Sequence, residues 1–173
     1  MQSKRNVAIM IKLLFYFVRS LRLLKARLLK TKIGKKCYIN KRSKFTKNTV
    51  IGSDCHFNGI RIMGQGVVSI GNHFHSGADV KIITDVHNYD CGEKLPYDDT
   101  YIVKNVIIEE NVWIGDNVII LGGSIIGEGA IIQAGSVVVG EIPPLSIAGG
   151  HPAKPFKRRN ENHYFALKKK QKA

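Results

Sequence analysis

Acid is scarce where base is most abundant: residues 1–48 hold 15 Lys and Arg and no Asp or Glu. Cysteine is sparse as well. Three in 173 residues, an odd number at no metal-like spacing, argue against a disulfide framework and fit a reducing compartment. Long apolar runs are missing. The most lipid-like stretch, Val7–Val18, is interrupted by Lys12 and followed at once by Arg19, well short of the roughly 20 residues a transmembrane helix needs. It also lacks the small-residue cleavage pattern of a secretion signal. The expectation is a cytoplasmic protein. Disorder is excluded too, because 44% of residues are hydrophobic and only 23% charged.

What charge there is lies segregated. The formal net charge is +14, yet residues 49–153 carry 4 basic and 12 acidic side chains, a net of −8. Residues 154–173 return to base, 8 against 1. A nucleic-acid binder more often carries a basic stripe across its folded body. An acidic body between two basic ends suits a membrane surface or the phosphates of a ligand.

A period of six residues dominates the body. Large apolar residues stand at Ile33, Ile39, Phe45, Ile51, Phe57 and Met63. After a slip of one residue the series resumes at Ile70, passes Ser76 as a weak member, and reaches Ile82. It returns without error at Ile108, Ile114, Ile120, Ile126, Ile132 and Val138. Four residues after most anchors stands a small or β-branched side chain, such as Cys37, Thr49, Cys55, Val112, Ser124 or Ala130. Six matches neither a heptad nor the 3.6 of a helix. It fits a three-sided parallel coil in which each flat side uses one hexapeptide, the anchor points inward and Gly or Asn turns the corner. Stacked coils bury one another's cores. Fifteen hexapeptides at three per coil predict an all-β domain of about five coils over residues 33–155.

Residues 84–105 break the period and hold most of the polar chemistry, including Asp85, His87, Tyr89, Asp90 and Cys91. A solenoid ejects a loop at a corner without disturbing its stack, and such loops carry function. Before the repeats, Met10, Leu14, Phe17, Leu21, Leu24 and Leu28 recur at helical spacing. Residues 5–31, within an N-terminal segment 1–32, therefore read as a basic amphipathic helix. Its apolar stripe either packs on the first coil or a neighbouring subunit, or lies in a membrane interface. Residues 156–173 read as a basic tail or short helix.

Among six histidines, His56, His73 and His75 sit at outward repeat positions and read as surface residues. Three histidines for a zinc site of the gamma-carbonic-anhydrase kind do not assemble, since the close pair is His73-x-His75; no metal is expected. His87 stands at the mouth of the inserted loop, and an imidazole titrating near neutrality is suited to taking a proton from a hydroxyl or amine. Cys91, four residues on, has nothing beside it but acids and that histidine, which makes a poor nucleophile. Cys37 and Cys55 read as core.

The run Ile70-Gly71-Asn72 through Thr84-Asp85-Val86-His87 resembles the catalytic segment of the maltose, galactoside and nodulation-type O-acetyltransferases. So do Val112-Trp113-Ile114-Gly115, Gly135-Ser136-Val137-Val138, Ile142-Pro143-Pro144 and Gly150-His151-Pro152-Ala153-Lys154. The likeness runs from about Ile33 to Arg158 and points to the bacterial hexapeptide-repeat acyltransferases. It implies a left-handed β-helix, a direction that opposes the usual right-handed crossover rule and does not follow from the spacing. It implies a homotrimer with sites between subunits, acetyl-CoA as co-substrate and a carbohydrate acceptor in surface-polysaccharide synthesis. His87 would be the general base and a backbone N–H would stabilise the oxyanion. Asp85 or Asp90 would orient the imidazole. Asn58 and Tyr89 would meet the acceptor, and Trp113, Gly115, Ala134 and Gly135 the pantetheine arm. Lys154 and Arg158, with Lys157 and Arg159, would hold the CoA phosphates. Relatives often have Thr-Lys where this chain has Val139-Gly140, so one phosphate contact is replaced or lost.

Two other readings remain open. One is N-acetylation of a nucleotide-linked amino sugar, for which many relatives carry an α/β nucleotide-binding domain that this chain has no Gly-rich signal for. A serine acetyltransferase would resemble a longer chain with a large helical domain. The other is a non-catalytic trimeric scaffold or membrane-binding module, which would need neither His87 nor a CoA groove.

Overall fold

The computed structural model describes residues 2–28 and 31–172. Between an N-terminal helix α1 (Gln2–Leu28) and a C-terminal helix α2 (Glu161–Lys172), the chain winds into a parallel β-solenoid of about six turns. Its first face stacks Lys32–Ile33, Thr49–Ile51, Val68–Ile70, Val106–Ile108, Ile125–Ile126 and Glu141–Ile142. The second stacks Tyr38–Ile39, His56–Phe57, His75–Ser76, Trp113–Ile114, Ile131–Ile132 and Ser146–Gly150. The third holds Ile60–Met63, Val80–Ile83, Ile119–Leu121 and Val137–Val138, extended by a bridge from Lys44 to Arg61.

The hexapeptide anchors form the core as the spacing predicts. Ile39, Ile51, Phe57, Ile82, Ile108, Ile114, Ile120, Ile126 and Ile132 are all buried, each stacked on its counterpart one turn away. Cys37 and Cys55 are buried beside them. The one-residue slip has a structural cause: Ile62, not Met63, points inward and pairs with Ile82, so that turn is longer on its third face. The turn count is six rather than five. Ile126 pairs with Ile142 and Ile132 with Ala148, steps of 16 residues, so the last turn falls outside a six-residue count.

The C-terminal segment is built rather than frayed. Ala153–Arg158 folds back antiparallel on Ser146–Gly150, and α2 follows along the solenoid. Among the described residues of α2, Tyr164 is the buried one. Its hydroxyl donates to Glu128 Oε1 at 2.8 Å, and burial with that carboxylate pushes its pKa up to about 12. Lys168 bridges Glu110 and Glu128, both at 2.5 Å, and the two carboxylates hold its charge firmly in place. The ring of Tyr164 can approach because residue 129 is Gly at φ +67; a Cβ there would lie 2.8 Å from the ring.

Of the readings open for α1, packing of its apolar stripe on the first coil is not met. Arg19, Arg22, Leu23 and Ala26 meet the first turns, with Ala26 buried and Leu23 against the core. Arg22 donates to the carbonyl of Asn40, and Arg19 lies 4.5 Å over the ring of Tyr38. The stripe Met10, Leu14, Phe17, Leu21, Leu24 and Leu28 faces outward and is exposed. Every described side chain from Asn6 to Phe17 is exposed. No helix of the described residues is long and apolar enough to cross a membrane.

The Arg19–Tyr38 contact begins a stack along the second face: Tyr38 to His56 at 4.7 Å, then His56 to His75 at 5.5 Å and 18°. Burial first, then the charges of His75 and Arg19, lower the His56 pKa below its ordinary 6.5, with Asp54 opposing. The unfolded chain therefore takes up this proton first, so the contribution is complete above pH 6.5 and is lost as pH falls below it. Thermal melts of wild type from pH 7.5 to 5.5 should show a falling midpoint, and His56→Phe should flatten that slope. For the core, Ile120→Ala should cost about 2–5 kcal/mol in denaturant unfolding, against little change for the exposed Val139→Ala.

Candidate active site

The interruption at 84–105 is a hairpin thrown out at the corner between the third and first faces. Asp85–His87 pairs antiparallel with Tyr101–Val103, placing His87 opposite Tyr101. Its tip is held by local bonds: Asn88 Oδ1 accepts from Cys91 N at 3.1 Å, and Asp98 accepts from Glu93 N and Thr100 N. Those bonds hold the Asp98 pKa low, the Thr100 hydroxyl foremost.

Thr84 pins the hairpin to the solenoid, a role the sequence reading missed. Fully buried, its Oγ1 donates to Met63 O at 2.9 Å and accepts from Gly66 N at 3.0 Å. A buried Thr where the strand leaves the stack was the available signal, since a hydroxyl there needs partners.

His87 is held by rings rather than by acid. Tyr97 stacks on it at 3.8 Å and 14°, and Tyr101 lies 4.5 Å away at 34°. Nδ1 is buried with no hydrogen-bond partner, which leaves Nε2 as the nitrogen that reaches solvent. The expectation that Asp85 or Asp90 orients the ring is not met within the chain. Asp85 Oδ2 accepts from Gln65 N at 3.2 Å, capping the corner beneath, and Asp90 is exposed in the loop. Tyr89 is exposed nearby, as are Leu95 and Val86.

The remaining site candidates gather elsewhere. Asn58, Gly115, Ala134 and Gly135 lie along the edge between the second and third faces, one full side away from the corner of His87. Asn58 belongs to a ladder, accepting from Asn40 at 2.9 Å and donating to Ser76 O at 2.8 Å, with His75 Nε2 at 3.2 Å. Gly115 packs against Ala134, where a Cβ would meet the Ala134 nitrogen at 2.6 Å. Gly135 sits at φ +73 with nothing within 4 Å of where a Cβ would stand, and its carbonyl accepts from His151 Nε2. Trp113 is 53% exposed on the adjoining second face, between His75 and Ile131. Lys154 is exposed opposite Gly149. Arg158 is ion-paired with Glu161, and Arg159 donates to Gly129 O at 3.0 Å, so the basic cluster is partly engaged at home. An open backbone at Gly135 beside an exposed indole and an exposed lysine fits the thioester arm and phosphates of a CoA substrate. Among the described residues no group of three or more His, Cys, Asp or Glu side chains is placed to hold a metal ion.

Removing the Thr84 hydroxyl leaves the buried Gly66 N–H unpaired. Thr84→Val should therefore cost about 1–3 kcal/mol in unfolding free energy, and hydrogen exchange should quicken in the 85–103 hairpin ahead of the core.

The bacterial transferase hexapeptide (six repeats) model matches residues 105–140. Among curated proteins no match is found. Solved structures do match. A hexapeptide-repeat-containing acetyltransferase from Vibrio cholerae is 28% identical with a TM-score of 0.71, over 83% of this chain and 82% of that one. A second structure of it holds acetyl-CoA. A maltose O-acetyltransferase from Clostridium difficile 630 is 28% identical with a TM-score of 0.59, over 79% of this chain and 73% of that one. An N-acyltransferase from Bacillus cereus, solved with dTDP and coenzyme A, shares the fold at 20% identity and a TM-score of 0.63, over 86% and 94% of the two chains. The matched repeats and the neighbouring structures agree: residues 105–140 are hexapeptide repeats, and the chain has the fold of the hexapeptide-repeat acetyltransferases it is similar to.

Proposed function

We propose that the protein is an acetyl-CoA-dependent O-acetyltransferase acting on a sugar hydroxyl, with His87 as general base. The observation that carries this reading is the pair of features on separate edges: a histidine whose Nδ1 is buried, leaving Nε2 for the acceptor, and the set of Trp113, Gly115, Ala134, Gly135 and Lys154 along the other edge. The chemistry follows from elementary requirements. Nε2 takes the acceptor proton as its oxygen attacks the thioester carbonyl, the C–S bond breaks, and the CoA sulfur leaves to be protonated. Holding the two substrates together supplies much of the acceleration without a covalent intermediate. Tyr97 and Tyr101 fix the ring where an acid would otherwise do so. Oxygen rather than nitrogen is favoured by the maltose O-acetyltransferase at 28% identity, the N-acyltransferase lying at 20%.

His87 and the residues of that other edge stand one side of the prism apart, so a site uniting them takes one from each of two chains. A closed ring of three suits that arrangement, and the exposed Leu95, Tyr89 and Val86 of the hairpin give it an apolar contact. The outward stripe of α1, with Lys12 and the acid-free N-terminal segment, suits an anionic leaflet and supports a role at the cytoplasmic face of a membrane in surface-polysaccharide synthesis.

Thiol release from acetyl-CoA with a panel of sugars is the direct test. Wild type should turn over, and His87→Ala should lose about 10²–10⁴-fold in kcat while still binding CoA. Equal turnover in the mutant would remove His87 from the mechanism; no turnover and no CoA binding would favour a scaffold. Leu13→Glu with Phe17→Glu should weaken sedimentation with phosphatidylglycerol vesicles about tenfold, with acetyl-CoA binding unchanged.

A further inference from the structure

The outward positions of the third face carry a charge arrangement that the solenoid itself does not need. Lys44 bridges Arg61, and Arg61 pairs in register with Lys81, so three cations stand on consecutive rungs of one column. Rungs are about 4.8 Å apart, and like charges set directly opposite are destabilising. One turn further on, the same column continues as Ile119 and then Val137, so the fold accepts apolar residues there.

The column lines a groove of about 860 Å³ between the third face and the packed end of α1. Arg22 and Lys25 enter from the helix and Arg42 from the first turn, bringing six cations to one concave surface. Asp79 is the one carboxylate on its wall. None of the six forms an ion pair among the described residues; the ion pairs there involve Arg158 and Lys168. Arg22 alone is engaged, through the carbonyl of Asn40. Unpaired cations concentrated in a concave site draw and hold a compact polyanion, with Arg matching phosphoryl oxygens through its planar fork.

We propose that this groove binds the phosphoryl groups of a diphosphate-linked acceptor. The site stands on the column and the groove alone. That the diphosphate belongs to the acceptor rests on the acetyl-transfer reading. The placement agrees, because Val80–Ile83 runs directly on into Asp85–His87, and Lys81 is six residues from His87. At about 3.3 Å per residue that is a reach of at most about 20 Å. A diphosphate comes either from a nucleotide or from a lipid carrier, and the helix that lends Arg22 and Lys25 to the groove also carries the exposed Leu21 and Leu24.

Calorimetric titration of the full chain with inorganic pyrophosphate tests the site. Wild type should bind, and Arg61→Gln with Lys81→Gln should weaken binding about tenfold or more. The thermal midpoint of that variant without ligand should match or exceed wild type, because a like-charge contact is relieved. No pyrophosphate binding, or equal binding by wild type and variant, overturns the proposal. So does a fall in the variant's midpoint together with a change in its oligomeric state, which would make the column part of a contact between copies. Titration with a nucleoside diphosphate and with a polyprenyl diphosphate in neutral phosphatidylcholine vesicles separates the sources, the tighter ligand naming the carrier. Pyrophosphate binding without sugar acetylation would keep the site and defeat the acetyl-transfer reading. Acetylation without pyrophosphate binding would do the reverse.

Discussion

Every turn of this molecule must bury its aliphatic column against the turns above and below, and the rest of the structure depends on that one constraint. A single coil of roughly eighteen residues has two open edges and too little apolar area to stand alone. Stacked in register, the inward residues at Ile82, Ile120 and Val138 cover one another, and the same holds on the other two faces. The ends of the stack are closed differently. α1 covers the first turns through Leu23 and Ala26, while the antiparallel return of Ala153–Arg158 and the Tyr164–Glu128 contact close the last.

Because the core is one-dimensional, its outward columns are free to carry chemistry without upsetting the fold. The second face uses this freedom for a stack of Tyr38, His56, His75 and Trp113, the third for Lys44, Arg61 and Lys81. The corners have the same freedom. Twenty extra residues leave the stack at Thr84, carry His87 out on a short hairpin, and return to Val106 in register with Val68. The Thr84 hydroxyl makes that departure rigid at its root, and the two tyrosines fix the imidazole at its end. The histidine on one edge and Trp113, Gly115 and Gly135 along another therefore stand one side of the prism apart.

Much of this was legible in the residues. A six-residue period with inward aliphatics is a signal that no helix and no ordinary strand produces, so the solenoid, its three faces and the ejected loop followed from counting. Where counting failed, packing had changed the step: Ile62 in place of Met63, and a last turn two residues short. The face of α1 that packs departs from its hydrophobic pattern for a plainer reason. Periodicity marks a stripe that wants burial, and the solenoid instead took Arg19, Arg22 and Ala26, leaving the stripe outside. Asp85 looked like a partner for His87 at two residues' distance, but the corner at Gln65 claimed its oxygen first.

The stacked coils and the loop that carries His87 out of them were readable in the residues, because both are set by local spacing along the chain. Which residues meet across turns was settled by the stacking alone. Lys44, Arg61 and Lys81 are separated by 17 and 20 positions, and nothing in their neighbourhoods marks them as a set. They become one because the varying length of each turn fixes the register, and register is a property of the stacked coils rather than of any one of them.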